Sequence, residues 1–236
     1  VLETQFAVLQ RIADVVSDAL LRGLARNPRH DAALRFRPAS GGEAFDVLRG
    51  GEALSILRLF HYLPPRVGGA NDGGKPVLGS SPHTDWGSLT VIQQDAAPRG
   101  LEFWEPRDAR WVHVPPRAGS YVVNVGDYLS LLSNGTYHSP VHRVVHEEHE
   151  RTSFVFFAYP NPAAVAVPYA GAAAKAEAEV AASGHASGPA YNTLVTRDGI
   201  DASFGDWLHE KWAGVKKDDA GQEAEGEDPN LEEAVA

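Results

Sequence analysis

Hydrophobic residues recur every three or four positions along the first 27 residues of the chain. This spacing places them on one face of a helix, so it predicts an amphipathic helix or a pair of helices. The sequence ARNPRHD (25–31) ends the pattern with residues that favour a turn. The apolar positions are Leu2, Phe6, Leu9, Ile12, Val16, Leu20 and Leu24.

The middle of the chain has the pattern of short strands. Apolar runs rich in β-branched and aromatic residues alternate with Gly, Pro, Asp and Asn, as in an all-β sandwich or barrel. The predicted strands are ALSILRLFHYL (53–63), SLTVIQQD (88–95), LEFWEP (101–106), WVHVPP (111–116), SYVVNVGDYLSLLS (120–133), HRVVHE (142–147) and TSFVFFAYP (152–160).

Three other segments differ from this pattern. RVGGANDGGKP (66–76) predicts a surface loop, and the Ala-rich segment 170–188 predicts a fraying helix or an insertion. FGDWLHEKWAG (204–214) predicts a closing helix.

Composition narrows the classes of function. The chain has 236 residues, 43% of them apolar and 22% charged, which is typical of a soluble globular protein. It has no cysteine, so a metal must be held by histidine and carboxylate. The net charge is −10, of which the tail 216–236 contributes −6, and no basic patch is visible. Nucleic acid is therefore not expected as a partner.

The expected compartment is the cytoplasm. The sequence contains no run of about 18 apolar residues, so no membrane span is expected, and it shows no secretory signal pattern. The sequence begins at Val1 and contains no methionine, so we expect an excerpt or a processed product. A monomer that acts on a small molecule is the default expectation.

The stretch SSPHTDWGSLTVIQQD (80–95) places a histidine and a carboxylate two residues apart, at the start of a predicted strand. Alternate residues of a strand share a face, so His83 and Asp85 could point to one site. His142 begins another predicted strand and offers a third ligand. Two histidines and one carboxylate form the facial triad of non-haem Fe(II) oxygenases. An isolated HxD is common and by itself usually has no such meaning.

A second pair of residues strengthens this interpretation. Arg151 and Ser153 share one face of an apolar strand, where a guanidinium would be costly without an anion to bind. The planar guanidinium matches a carboxylate. The pattern predicts a dicarboxylate cosubstrate, with one end at the metal and the other at Arg151 and Ser153.

Five motifs resemble one family. They are LRLFHYLPP (57–65), HTDWGSLTVIQQD (83–95), GLEFW (100–104), residues 111–145 and ERTSFVFFAYP (150–160). From about residue 45 to 160, the chain resembles the isopenicillin N synthase-like group of Fe(II)- and 2-oxoglutarate-dependent dioxygenases. The resemblance continues more weakly into the opening helix and SFGDWLHEKW (203–212).

The resemblance implies a mainly β fold with flanking helices, a double-stranded β-helix or jelly roll. We expect four segments: a helical segment 1–44, a catalytic core 45–160, a helical segment 161–215 and a tail 216–236 whose acidic composition predicts disorder. The implied site residues fall into three groups. They are the iron ligands His83, Asp85 and His142, the 2-oxoglutarate clamp Arg151 and Ser153, and two further site positions, Tyr62 and Asn124.

The implied activity is oxidation of a small organic molecule, with hydroxylation favoured and with release of succinate and CO2. The implied cofactors are Fe(II), 2-oxoglutarate as cosubstrate and O2, and ascorbate is an optional addition.

Several nearby residues have weaker interpretations. Trp86 is equally suited to a substrate pocket and to a core. His113 and His138 are interpreted as structural or exposed, and Arg143 as the partner in a structural ion pair. His146 and His149 are expected in a solvated turn.

Three alternatives stay open. An oxidase of the same fold could work without 2-oxoglutarate and use Arg151 for a substrate carboxylate. A binding protein could keep the fold without turnover. A zinc hydrolase ranks last, because no recognisable motif supplies a general-base glutamate.

Overall fold

The computed structural model describes most of the predicted core. The described residues are 2–25, 54–64, 76–96, 99–133, 136–146, 148–162, 203–209 and 212–213. Most of the loop 66–76, the Ala-rich segment 170–188 and the tail 216–236 lie outside the described residues.

The opening helix is a single element, α1, which spans Leu2–Ala25. Its apolar stripe is buried, with Leu9, Ala13 and Leu21 almost fully shielded from solvent. The ring of Phe6 meets the ring of Phe156 edge to face, with centroids 5.1 Å apart. The periodic pattern therefore forms one helix that packs on a sheet.

Within the described residues, α1 is followed by eight strands and by short helical segments. The short helix, α2, spans Asp127–Leu132, and residues 204–209 and 212–213 are also helical. The strands are β1 Ile56–Tyr62, β2 Leu78–His83, β3 Leu89–Gln94, β4 Leu101–Glu105, β5 Arg110–His113, β6 Val122–Val125, β7 His142–Val145 and β8 Arg151–Ala158.

The strands form two antiparallel four-stranded sheets, with the orders β1-β8-β3-β6 and β2-β7-β4-β5. The pairs β1 with β8, β2 with β7, β3 with β6 and β4 with β5 alternate between the two sheets. The chain thus doubles back like one long hairpin that is wound around the core. This is a double-stranded β-helix, or jelly roll, and it confirms the expected fold.

Strand β2 is an element that the sequence pattern did not predict. It contains Gly79 and Pro82, which are unfavourable in a central strand. It lies at the edge of its sheet and its pairing with β7 shifts register twice. Pro is tolerated at such edges and irregularities because a missing N–H is not needed there.

The prediction of a strand over 127–132 is wrong, because these residues form α2. Gly126 turns the chain where a Cβ would lie 2.2 Å from the carbonyl oxygen of Gly87. The first helical N–H groups bond to the loop between β2 and β3. Asp127 N donates to Asp85 O (2.7 Å), and Tyr128 N donates to Gly87 O (3.1 Å). The apolar residues of this segment suit a buried helix as well as a strand, and this close approach decides between them.

The core has two parts, one on each face of the β1-β8-β3-β6 sheet. The outer face packs on the helices through Leu89, Val91 and Phe156, together with Leu129 and Trp207. The inner face meets the second sheet through Ile92, Leu101, Val144 and Val155. Burial on both faces explains why the first four residues of β3 are all buried.

Within the described part of the chain, we find no helix that combines the length and the apolar character needed to cross a bilayer.

The contact between α1 and the sheet gives a stability prediction. Phe156 is fully buried against Phe6, so Phe156→Ala should leave a cavity and lower the free energy of unfolding by about 3–5 kcal/mol. Leu59→Ala is the control, since Leu59 is 58% exposed and its loss should change that free energy by about 0.5 kcal/mol or less. Denaturant unfolding of both variants measures the difference, and equal values would contradict the packing described here.

Candidate metal centre

Two histidines face each other across the edge of the second sheet. His83 is the last residue of β2 and His142 is the first residue of β7, and the two are paired in register. Their ring centroids are 4.3 Å apart. The antiparallel pairing of β2 with β7 therefore brings together two residues that are far apart in the sequence.

Asp85 completes the group from a loop. His83 and Asp85 point to one site as expected, but strand alternation is not the reason, because β2 ends at His83 and Asp85 lies in the loop between β2 and β3. The loop is instead anchored on α2 through the bond from Asp127 N to Asp85 O. The carboxylate oxygens Oδ1 and Oδ2 lie 3.7 Å from Nε2 of His83 and Nε2 of His142, respectively.

The Asp85 carboxylate is buried and held by two donors. Its Oδ2 accepts hydrogen bonds from Thr90 Oγ1 (2.6 Å) and Asn124 Nδ2 (2.9 Å). Burial raises the pKa of Asp85, but His142, His83 and these two hydrogen bonds outweigh it, so the pKa is lowered overall. Asp85 is therefore an anion at neutral pH.

The two imidazoles are oriented by backbone carbonyls. His83 Nδ1 lies 2.7 Å from Ser81 O, and His142 Nδ1 lies 3.2 Å from Pro140 O. A carbonyl can only accept, so each Nδ1 carries the proton and each Nε2 presents its lone pair towards Asp85. Burial lowers the pKa of His142 and His83 lowers it further, against the opposing effect of Asp85. His142 is therefore neutral when Asp85 is charged.

This donor set fits a divalent metal ion. One atom from each of His83, Asp85 and His142 lies within 4.8 Å of the other two. Separations of 3.7 Å are too long for hydrogen bonds, so the ligand atoms converge without bonding one another. Two imidazoles and one carboxylate are the ligands of non-haem Fe(II) oxygenases. The His83 side chain is 42% exposed, so the group opens to solvent on that side.

A pocket extends from these three residues between the two sheets. It encloses about 410 Å³, including its open mouth. The strand register places Arg151 and Ser153 at one end of the pocket and Thr90, which bonds to Asp85, at the other end, with the three candidate metal ligands. The wall between is mostly apolar and consists of Phe60, Ile92, Leu101, Val144, Val155 and Phe157.

Arg151 is held at the far end of the pocket by several contacts. Its Nη2 donates to Gln94 Oε1 (3.1 Å), its Nη1 lies 3.5 Å from Ser153 Oγ, and its Cζ lies 5.1 Å from the centroid of the Tyr62 ring. Gly100 leaves room for the side chain, because a Cβ there would lie 2.6 Å from Arg151 Cδ. Gly100 also has a φ of +137°, which a larger residue would adopt only with strain.

Arg151 is a buried cation. Burial lowers the pKa of Arg151, opposed by Tyr62 and Asp95, but a guanidinium stays protonated in proteins. Burial also raises the pKa of Tyr62, against the effect of Arg151, so Tyr62 is neutral. Among the described residues, no carboxylate forms an ion pair with Arg151. An anion in the pocket would supply the missing charge.

The structure places the two weaker site candidates outside the pocket lining. Asn124 lies behind Asp85 and contacts its carboxylate. Trp86 packs edge to face on Trp207 and Trp212, with ring centroids 6.2 Å and 5.6 Å away. It therefore contributes to the aromatic packing around the C-terminal helical residues.

The structure also shows the surroundings of four other histidines and of Arg143. His146 packs edge-on against Tyr62 at 6.2 Å and is half-buried, so its expected place in a solvated turn is wrong. His149 and His138 are exposed, and His113 is half-buried. Arg143 bonds to Glu102 at 2.8 Å, which confirms the expected structural ion pair.

Sequence reasoning missed Thr90, Gln94 and Gly100. Thr90 and Gln94 alternate with Ile92 along β3, so all three share the inner face. The sequence did carry a signal, because Thr90 and Gln94 are polar residues that share a face with the apolar Ile92. Their partners, Asp85 and Arg151, could not be assigned without the strand pairing.

Comparison with known proteins points to one family. Residues 54–160 match the family model of the 2OG-Fe(II) oxygenase superfamily. Clavatol oxidase of Penicillium crustosum is 38% identical over 158 residues, which cover 66% of this chain and 42% of the relative. Homoarginine-6-hydroxylase of Glycine max is 35% identical over 144 residues, which cover 59% of this chain and 41% of the relative. The chain thus spans about two fifths of the length of these relatives.

A solved structure supports the fold. A putative oxygenase from Shewanella oneidensis aligns with a TM-score of 0.55 at 19% identity, over 89% of this chain and 63% of that one. Residues 54–160 are thus similar to the 2OG-Fe(II) oxygenase superfamily. This confirms the family expected from the sequence, and the superfamily uses Fe(II), 2-oxoglutarate and O2.

The geometry of the metal centre predicts the effect of losing a ligand. His142→Ala should abolish saturable Fe(II) binding, because two remaining ligands hold a metal poorly. Anaerobic equilibrium dialysis with Fe(II) measures this, and the exposed His149→Ala is the control. Unchanged Fe(II) affinity in the His142 variant would refute the assignment.

The hydroxyl of Thr90 gives a subtler test. Thr90→Val keeps the shape of the side chain but removes the donor to Asp85, so Fe(II) affinity should fall by about 10–100-fold. Thr90→Ser retains the hydroxyl and should keep most of that affinity. The same dialysis measures both variants, and equal losses would show that packing rather than the hydrogen bond is responsible.

Proposed function

We propose that this chain is an Fe(II)- and 2-oxoglutarate-dependent dioxygenase that oxidises a small organic molecule, with hydroxylation as the favoured outcome. One observation carries the proposal. Arg151, which is buried and forms no ion pair with a carboxylate among the described residues, lies at one end of a pocket whose other end holds His83, Asp85 and His142. A dicarboxylate that reaches between the two ends satisfies both.

Each residue has a defined task in this reaction. His83, Asp85 and His142 would hold Fe(II), while Thr90 and Asn124 keep Asp85 ionised and oriented. When bound, the iron supplies the activation of O2 that converts 2-oxoglutarate to succinate and CO2 and adds the second oxygen atom to the substrate.

The far end of the pocket suits the distal carboxylate of 2-oxoglutarate. The guanidinium of Arg151 can donate two parallel hydrogen bonds to a carboxylate. Ser153 lies beside it and can donate a further hydrogen bond from its hydroxyl. Gln94 and Gly100 fix Arg151 from behind, so little side-chain entropy is lost on binding.

The apolar wall excludes water from the reacting atoms. It strengthens the electrostatic contacts at both ends of the pocket, because the local dielectric constant is low. The names of the relatives, among them an oxidase of clavatol and a hydroxylase of homoarginine, favour a small organic substrate.

The division of the chain into a helical segment 1–44, a core 45–160 and a helical segment 161–215 is also a proposal. The family match over 54–160 supports the core boundaries. A monomeric state, a cytoplasmic location and the lack of a nucleic-acid partner stay predictions from composition.

The decisive experiment is an anaerobic titration of the Fe(II)-loaded protein with 2-oxoglutarate, followed by visible absorption. A charge-transfer band that saturates would show that the 2-oxo acid chelates the iron. Bound iron without such a band would favour the alternative in which Arg151 binds a substrate carboxylate.

The same titration tests the clamp. Arg151→Ala should weaken 2-oxoglutarate binding by about 2–5 kcal/mol, because a buried carboxylate loses its charged partner. Arg110→Ala is the control, since Arg110 is exposed and bonds to Asp108 at 3.1 Å. Equal affinity in the two variants would contradict the assignment of Arg151.

A further inference from the structure

A second arginine lies on the same inner face as the pocket. Arg58 alternates with Phe60 and Tyr62 along β1, so the three side chains share a face. Phe60 and Tyr62 line the pocket. Arg58 is opposite Val155 of β8, which also lines it.

Strand pairing places Arg58 towards the metal end of the pocket. Tyr62 is opposite Arg151, and Arg58 is four residues along the strand, or about 13 Å away. On the other side of β8, Phe157 is paired with Thr90, whose hydroxyl bonds to Asp85. Arg58 is opposite Val155, which is opposite Ile92, so its backbone lies one inner-facing position nearer to Arg151 than the Phe157–Thr90 pair does. Its guanidinium reaches Phe157 and so lies close to the metal end of the pocket.

The guanidinium of Arg58 lies between two aromatic rings. Its Cζ is 5.7 Å from the centroid of Phe157 and 5.6 Å from that of Trp212. Cation–π contacts of this kind hold the planar group in place without using its hydrogen-bond donors. Tyr159 lies close to the same group: burial raises the pKa of Tyr159 to about 12, Asp85 raises it and Arg58 lowers it. The pKa of Tyr159 therefore depends on both Asp85 and Arg58.

Arg58 has no acidic partner among the described residues, and its side chain is exposed. Two other arginines are paired with acids: Arg143 bonds to Glu102, and Arg110 bonds to Asp108. The donors of Arg58 are therefore available to a ligand, beside aromatic rings that can contact an apolar body.

We propose that Arg58 binds a carboxylate of the primary substrate, so that the enzyme acts on small organic acids whose apolar or aromatic body contacts Phe157 and Trp212. This inference rests on the proposed function, because it takes the metal centre as the reaction site. It assigns the two arginines to different molecules, with Arg151 for the cosubstrate and Arg58 for the substrate.

A matched pair of probes tests the proposal. The protein is loaded with Fe(II) and 2-oxoglutarate without oxygen, and binding of 3-phenylpropanoate and of 3-phenylpropanamide is measured by equilibrium dialysis and by the change in the visible band. The acid should bind about tenfold or more tightly than the amide, as expected for a charge-assisted hydrogen bond. Amide binding equal to acid binding, or no binding of either probe, would overturn the proposal.

Variants assign the preference to one residue. Arg58→Gln should reduce the affinity for the acid to that for the amide, Arg58→Lys should retain part of the preference, and Arg110→Gln should leave it intact. The 2-oxoglutarate band should be the same in all of them, which shows that the fold and the metal centre are preserved. A preference that survives Arg58→Gln would overturn the proposal.

Two further results separate the possible explanations. Inorganic phosphate should not displace the acid, and displacement would indicate a general anion site instead of a carboxylate site. Absence of the 2-oxoglutarate band in the wild-type protein would contradict the proposed function itself. A normal band without a preference for the acid would contradict only the role of Arg58.

Discussion

The buried carboxylate of Asp85 is the interaction on which the rest of the site depends. A carboxylate inside a β-sandwich is costly unless hydrogen bonds and opposite charges compensate it. Thr90 and Asn124 supply the hydrogen bonds, and the two histidines supply polarity on the other side. Its loop is fixed in turn by the N-terminus of α2, so a helix, two strands and a loop all converge on one carboxylate.

The two ends of the pocket inside the sandwich carry opposite charges. An anionic ligand group lies at one end of the pocket and a buried guanidinium at the other, with a mostly apolar wall between them. Within the described residues, neither the Asp85 carboxylate nor the Arg151 guanidinium forms an ion pair with a permanently charged side chain. Both are therefore available to bind a ligand of opposite charge. This arrangement lowers the stability of the empty pocket and favours binding of a metal ion together with a dianion.

Three arginines show how partners decide the role of one residue type. Arg143 bonds to Glu102 and covers the Trp111 ring, which is a structural contact. Arg151 is buried, forms no ion pair with an acid in the described part of the chain, and faces the pocket. Arg58 is exposed between aromatic rings at the other end. Charge alone does not distinguish them, whereas burial and neighbours do.

The sequence by itself determined the fold class, the opening helix and the residue types of the site. Periodicity marks α1 and most strands, and the absence of cysteine restricts any metal to histidine and carboxylate ligands. Strand alternation alone already places Arg151 and Ser153 on one face. These features are local, so a single stretch of chain reveals them.

The tertiary structure decided how those residues meet. The Gly and Pro residues of edge strand β2 kept the sequence pattern from predicting it. Its pairing with β7 brings His83 to His142. Asp85 is positioned by a loop bonded to α2, a helix whose residues had the pattern of a strand. The contacts of Thr90 with Asp85 and of Gln94 with Arg151 also join distant segments. Such contacts depend on register and close backbone approach, which no local pattern of residues encodes.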